Sequence, residues 1–385
     1  MNKHIFSITF LISGFFSISS MAGVTDSPVP DPFQRFDNDS RLTINYTDLN
    51  SLLEAVVLDT GRSNRKKASS FQTQTGTRMK VSVNRATVNE GNRFYFEIFR
   101  DNEKNQKTLR SIRTRLENIP AANALEKFSR DEQLAYWLNL YNTTMLDEIV
   151  KVYPKRDLED LLVGKKSIMS KKTLMVAGVP LSLNDIQFTI LKLNYDTNPL
   201  IIYGLYQGII GGPNIRKTAY SGKYVYADLI ENAMEFINSN RGTESKSKQT
   251  FRVSSLYKRN EPFFINFDTD LTEHLLNYLE GDERVEFQVA TKIKADIDDW
   301  TVTDLFGSSR NLAGSLANSN AALVGAVTGA NSSRLASKAA GMTRYSPEVL
   351  EHLNELNRKR TAERTGTVTI EELGQATDET DVVNE

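Results

Sequence analysis

The chain has 385 residues, with 47 Lys and Arg against 48 Asp and Glu and a formal net charge of −1. This balance excludes the strongly basic composition typical of nucleic-acid-binding proteins, and the absence of cysteine excludes thiol catalysis and disulfides. Hydrophobic residues at 39% are enough for a full globular core, and the length suggests about two domains or one large domain with tails.

Residues 1–22 predict a removed signal peptide. Lys3 and His4 precede an apolar run, and Ser20 and Ala22 are the small residues that a signal peptidase recognises. The run is shorter and richer in serine than a spanning helix, which needs about 20 apolar residues. We therefore expect cleavage after Ala22, a mature net charge of −2, a periplasmic or secreted location, and no membrane span after signal removal.

Residues 23–99 predict an N-terminal arm and a hairpin segment. The arm is rich in Asp, Pro, Asn and Ser, and residues 49–58 follow a short helical pattern. Residues 79–83 alternate between polar and apolar side chains, and residues 93–99 are aromatic and β-branched. Turn residues between these two runs predict a β-hairpin.

Residues 100–306 carry the main domain. Ser129 and Glu132 form a capping box, from which apolar residues recur at helical spacing as far as Pro154. Because apolar or amide side chains cover most of this helix, we expect it to be buried. A short hairpin is predicted over residues 173–181, followed by a helix capped by Ser182 and Asp185.

The second half of the domain mixes both types of element. We predict strands over residues 200–210, 251–253 and 285–289, a turn over residues 211–214 and a helix over residues 226–237. The sequence therefore predicts an α+β fold. It would be a helix-rich single domain with a small, mostly antiparallel sheet and a flexible C-terminal region.

The C-terminal composition differs from that of the domain. Residues 307–341 are rich in Ser, Ala, Gly and Asn and predict a linker. Residues 342–385 predict a helix, opened by Ser346 and Pro347, and a tail whose last 25 residues carry a net charge of −6.

The motif Trp-Leu-Asn-Leu-Tyr-Asn over residues 137–142 resembles a recurring mark of the family called domain of unknown function 547. Further stretches resemble other marks of that family in the same order, at residues 178–186, 200–215, 256–264 and 298–300. The resemblance covers roughly residues 100–305, and the family name conveys no activity.

The departures from the family pattern concern its reactive residues. The pattern has Glu-His where this chain has Gln187 and Phe188, and His, Cys and Cys where it has Ile202, Gln207 and Gly212. Cysteine beside histidine is the usual composition of an activated thiolate nucleophile. If the family site works in that way, this chain has lost the chemistry and is a candidate pseudoenzyme.

Buried amides and carboxylates near these positions need hydrogen-bond partners. They either clamp one another and the backbone in the core, or line a remnant of the family's pocket that holds a polar ligand or a partner's chain. The candidate remnant pocket comprises Trp137, Asn139, Tyr141, Asn142, Asp185, Gln187, Tyr203 and Gln207.

Other chemistry-bearing patterns favour structural interpretations. His274 is expected to be a solvent-facing helical histidine. Neither it nor His352 has a Gly-x-Ser-x-Gly motif, the mark of a serine nucleophile, near it in the sequence. Asn266, Asp268 and Asp270 have the spacing that opens a calcium loop but lack its glycine and its glutamate. We therefore predict no metal and no cofactor.

The sequence favours a non-catalytic binding or structural role in the cell envelope. The expected partner is an unknown envelope protein or a small polar ligand, and not nucleic acid. The alternative is a hydrolase or transferase that uses carboxylates, such as Asp185 with Asp299, in the same cleft.

Overall fold

The computed structural model describes residues 29–65, 87, 90–164, 167–247 and 249–305. The α-helices in chain order are α1 (Thr47–Val56), α2 (Glu103–Ala122), α3 (Arg130–Val152), α4 (Glu159–Leu162), α5 (Lys192–Asn194), α6 (Val225–Ile237), α7 (Ser255–Arg259), α8 (Phe267–Tyr278) and α9 (Gly281–Val289). The strands are β1 (Val57–Leu58), β2 (Arg93–Phe94), β3 (Leu174–Val176), β4 (Val179–Leu181), β5 (Thr243–Ser247), β6 (Thr250–Ser254) and β7 (Lys292–Ile297). A π-helix, Asp185–Leu191, leads directly into α5. The fold is helix-rich α+β, as the sequence predicts.

Several predictions fall outside the described residues. They concern the signal peptide, the first strand of the hairpin at residues 79–83, the linker over residues 307–341, and the helix and acidic tail over residues 342–385. None of the helices within the described ranges is long and apolar enough to cross a membrane.

Helix α3 forms the centre of the core. Ser129 caps it by accepting a hydrogen bond from the Glu132 backbone N–H at 3.3 Å, which confirms the predicted start. Every residue over 132–147 is buried. Because no face of this helix meets solvent over those four turns, its polar side chains must bond to the surrounding protein.

The strands form three small sheets. Strands β1 and β2 pair antiparallel, and so do β3 and β4, which confirms the hairpin predicted over residues 173–181. In the third sheet β6 lies in the middle, antiparallel to β5 and parallel to β7. A parallel pair requires a crossover connection, and helices α7, α8 and α9 supply it.

The strand predicted over residues 93–99 is only partly correct. Its first two residues form β2, but the partner is β1, and Phe96–Phe99 is a 3₁₀-helix. The tight turn brings Phe96 next to Phe94, with ring centroids 4.5 Å apart. These aromatic side chains therefore enter the core from a 3₁₀-helix and not from a β-strand.

The strand predicted over residues 200–210 is wrong. Pro199–Gly204 is a 3₁₀-helix, capped by the side chain of Asn198, and an irregular segment follows it. The Gly204 C=O and the Tyr206 N–H both bond to the side chain of Asn142 on α3. These backbone groups therefore take their partners from a buried amide and not from a neighbouring strand.

The strand predicted over residues 285–289 is also wrong, because this stretch belongs to helix α9. Val285 and Val289 are exposed, and only Phe287 is buried. Helix α2 was not predicted, although Leu109, Ile112 and further apolar residues recur there at helical spacing.

Candidate functional site

Two asparagines of α3 clamp distant backbone segments. Asn139 donates from Nδ2 to the Tyr220 carbonyl at 2.8 Å and accepts from the Tyr220 N–H at 2.9 Å. Asn142 bonds in the same way to the Gly204 carbonyl and the Tyr206 N–H, both at 2.9 Å. Each amide side chain thus bonds to a backbone N–H and a backbone C=O, as a neighbouring strand would. It holds an irregular segment against the central helix.

Trp137 is a core residue. Its side chain is fully buried, with its ring centroid 4.9 Å from Phe33 and 5.0 Å from Tyr136, both edge-on. The indole Nε1 has no hydrogen-bond partner among the residues that the structure describes. The Trp of the family motif therefore packs against the N-terminal arm.

Tyr141 begins a chain of buried hydrogen bonds. Its hydroxyl donates to Gln187 Oε1 at 3.3 Å, and Gln187 Nε2 donates to Asn260 Oδ1 at 2.5 Å. Asn260 Nδ2 in turn donates to the Leu256 carbonyl at 2.9 Å. The chain connects α3, the π-helix and α7, so three stretches that resemble the family converge here.

Gln207 lies beside an arginine that the sequence did not single out. Its Oε1 accepts a hydrogen bond from Arg259 at 3.1 Å. Arg259 also donates to Ser255 Oγ, which bonds to Asp298, and its guanidinium carbon lies 4.5 Å from the centroid of the Trp300 ring. We call these five residues the Arg259 cluster.

The charge of Arg259 is only partly compensated. Its Nη1 lies 3.6 Å from Asp298 Oδ1, which is beyond hydrogen-bonding distance. Burial lowers the pKa of Arg259 to about 10, although Asp298 acts to raise it. A largely buried guanidinium whose nearest carboxylate is not hydrogen-bonded to it attracts anionic and acceptor groups.

Asp185 serves as a cap, and its hydrogen bonds go to Lys172 and Ser182, not to the Arg259 cluster. Its Oδ2 accepts from the Ser182 N–H and from Lys172 Nζ, both at 2.6 Å, and from the Ser182 hydroxyl. Partial burial acts to raise its pKa, but Lys172 and Ser182 outweigh that effect, and the pKa is lowered. This carboxylate holds the start of the π-helix.

Tyr203 is buried against His274, which the sequence wrongly assigned to the solvent-facing side of a helix. The Tyr203 hydroxyl lies 2.9 Å from His274 Nε2 and 3.2 Å from the hydroxyl of Tyr257. The imidazole is 8% exposed and stacks on the Tyr203 ring at 5.7 Å. Burial lowers the pKa of His274 to about 4, so the ring is neutral at pH 7.

The other positions where the family pattern has His or Cys hold structural residues. Ile202 is in the core, Phe188 packs against Phe263, and the Gly212 carbonyl accepts a hydrogen bond from Arg241 at 2.8 Å. Asp299 accepts from the hydroxyl of Thr87 at 2.5 Å and from the Thr301 N–H at 3.0 Å. Asp185 and Asp299 therefore bond to separate sets of partners.

The candidate residues thus fall into three groups. Tyr141, Gln187 and Gln207 converge on the Arg259–Asn260 end of α7. Asn139 clamps Tyr220, and Asn142 clamps the Gly204–Tyr206 segment that precedes Gln207. Trp137, Tyr203 and Asp185 have core or capping roles. Sequence reasoning missed Arg259, although the resemblance at residues 256–264 and 298–300 marked both stretches that carry the cluster.

One comparison with known proteins gives a match. Residues 125–237 match the model of a family described as "Protein of unknown function, DUF547". No curated protein and no solved structure is significantly similar to the chain. The matched stretch runs from the turn before α3 to the end of α6 and includes every residue from Trp137 to Gln207, but not Arg259. Residues 125–237 are therefore a DUF547 family domain.

Proposed function

We propose that this chain is an exported, non-catalytic binding or structural protein of the cell envelope. Its amide side chains at the family's characteristic positions are engaged in structural hydrogen bonds, as Asn139, Asn142 and Gln187 illustrate. The chain has no cysteine, and Gln207 occupies a position where the family pattern has one. An amide cannot take or give a proton near neutral pH, which supports binding over turnover.

The observation that carries the binding proposal is the contact between Gln207 and Arg259. It couples a former reactive position to a cation whose nearest carboxylate is 3.6 Å away. The Trp300 ring provides a flat apolar face beside the guanidinium. Such a combination suits a small polar ligand or a partner's side chain that carries a carboxylate or phosphate.

The alternative, a hydrolase or transferase that uses carboxylates, receives less support. A pair of catalytic carboxylates needs a shared cleft and opposed pKa values. Asp185 is already committed to Lys172 and Ser182, and its pKa is lowered, not raised as a general acid requires.

Export is part of the proposal and has its own test. It rests on the apolar run and on the small residues Ser20 and Ala22. Mass spectrometry of protein from the native host should find an N-terminus at or near Gly23. An intact Met1 on a membrane-bound product would overturn this part.

The binding site can be tested with simple anions. We expect sodium phosphate and a triglutamate peptide to raise the Tm of the mature protein, and Arg259→Gln to abolish the increase. Arg252→Gln is the matched control, because Arg252 is a half-buried arginine nearby whose guanidinium is paired with Glu244 and Asp296. Equal increases in wild type and Arg259→Gln, or no increase with either probe, would count against this site.

A further inference from the structure

A small cavity lies beside α3, and its lining includes none of the residues of the Arg259 cluster. Its volume is about 10 Å³, and its polar lining includes Asn139, Asn142, Thr143 and Arg216. Thr218, Tyr220 and four leucine and isoleucine side chains form the rest of the wall. A space of roughly this size is enough for one water molecule.

Two of the lining residues carry buried polar atoms without a protein partner. Thr143 is fully buried, and its Oγ1 has no hydrogen-bond partner in the described part of the chain. The same is true of Arg216 Nε. Native proteins leave few buried polar atoms unpaired, and an ordered water is the usual partner of those that protein groups do not satisfy.

We propose that this cavity is a binding site for one structural water molecule, which bridges Thr143 Oγ1 and Arg216 Nε. The site is independent of the proposed ligand site. It links α3 to residues 215–220, the connection that Asn139 already clamps through Tyr220.

The hydrogen-bond donors and acceptors around the cavity match those of a water molecule. The Arg216 Nε–H can only donate, so the occupant must accept from it. The Thr143 hydroxyl can do either. The Oδ1 atoms of Asn139 and Asn142 each accept one backbone N–H, which leaves a second lone pair on each for a proton from the occupant. A water molecule that accepts from Arg216, shares a hydrogen bond with Thr143 and donates to one of these amide oxygens makes three hydrogen bonds, the typical number for a buried water.

The surrounding charge favours a neutral occupant over an anion such as chloride. The two terminal nitrogens of Arg216 are already paired, with Asp228 at 2.9 Å and with Glu231 at 2.7 Å. An added anion would give this arginine a third negative neighbour. It would also face the amide oxygens of Asn139 and Asn142.

The direct test is a crystal structure of the mature wild-type protein at about 1.8 Å resolution or better. We expect an isolated density peak within about 3.2 Å of both Thr143 Oγ1 and Arg216 Nε. The peak should persist in Thr143→Ser, which keeps the hydroxyl, and disappear or move in Thr143→Val. Absence of a peak in the wild type would overturn the proposal, and so would an anomalous bromide peak in its place after a bromide soak.

The sign of a stability change gives a second test. If the water is bound, Thr143→Val removes one of its hydrogen-bond partners and should lower the Tm by about 2–4 °C. In a dry cavity the same change removes an unsatisfied hydroxyl and should raise the Tm, which would contradict the proposal. Thr144→Val is the control. Thr144 is equally buried on the same helix, but its hydroxyl bonds to the Leu140 carbonyl at 2.7 Å, so its shift should be smaller. If Thr143→Val does not fold, the wild-type and Thr143→Ser density maps decide.

Discussion

Replacing His274 by phenylalanine should make the protein less sensitive to acid. The imidazole is buried between Tyr203, Phe264 and Tyr278, and burial lowers its pKa to about 4. The unfolded chain keeps an ordinary histidine with a pKa of about 6.5. Between these values the unfolded state binds a proton that the folded state does not, so stability falls as the pH drops through this range.

The size of the effect follows from the pKa difference. At pH 4.5 the linkage relation gives a loss of about 2.5 kcal/mol of unfolding free energy relative to pH 7.5. Phenylalanine keeps an aromatic ring in the same site but cannot bind a proton. The wild type should therefore lose about 2.5 kcal/mol more than His274→Phe over this interval.

The ionisation of Glu235 changes the stability with pH in the opposite direction to that of His274. The effect of His274 must therefore be measured as a difference between the wild type and the variant. Burial raises the pKa of Glu235 to about 7, although Arg241 acts to lower it. Its contribution to stability is present at low pH and is lost as the pH rises from about 4.5 to 7. Because Glu235 is present in both proteins, its contribution cancels when wild type and His274→Phe are compared.

The assay is urea denaturation of the mature protein at several pH values between 7.5 and 4.5. If His274→Phe loses as much stability on acidification as the wild type, within about 0.5 kcal/mol, the buried-histidine argument is refuted.

Three further substitutions test the packing around α3 by the same denaturation assay. Asn142→Leu leaves the Gly204 carbonyl and the Tyr206 N–H without their buried partner and should lower the free energy of unfolding by about 2–4 kcal/mol. A loss under about 0.5 kcal/mol would show that the amide does not hold this segment. Gly204→Ala brings a methyl group within 2.7 and 2.8 Å of leucine methyls on α6 and α3 and should cost about 1–3 kcal/mol; an unchanged midpoint would contradict the close packing. Ser129→Ala should cost about 1 kcal/mol through the lost cap, and no change would mean that the cap does not contribute.

Local signals in the sequence were sufficient for the central helix. Ser129 and Glu132 mark its start, and the recurrence of apolar residues as far as Pro154 marks its length. The hairpin at residues 173–181 is predictable for a similar reason, because Gly178 marks its turn and adopts the positive φ that a tight turn requires. These signals depend only on residues close together in the chain.

The failures involve partners that are distant in the chain. An apolar run such as residues 200–210 is compatible with a strand or with a buried irregular segment, and periodicity does not distinguish them. The deciding contact comes from Asn142, more than 60 residues earlier. His274 was misplaced because its partner, Tyr203, lies 71 residues away.

The candidate site was predicted in part for the same reason. Gln207 could be identified from the resemblance, but its partner Arg259 is 52 residues further along the chain. Tyr141 and Gln187 were named together, yet their shared contact with Asn260 depends on how α7 packs. A single sequence indicates which residue types are unusual, and the fold determines which of them meet.

We propose that this chain binds and does not catalyse. The most direct measurement assays purified mature wild type, Gln207→Ala and Asp185→Asn against ester, amide and glycoside substrates. We predict no rate above that of buffer for any of the three proteins. We expect Gln207→Ala to lower stability or weaken the binding of phosphate and triglutamate. A wild-type turnover that falls several hundredfold in either variant, with the fold intact, would contradict the account. Such a fall corresponds to about 3–4 kcal/mol of transition-state stabilisation, which a residue outside the reaction does not supply.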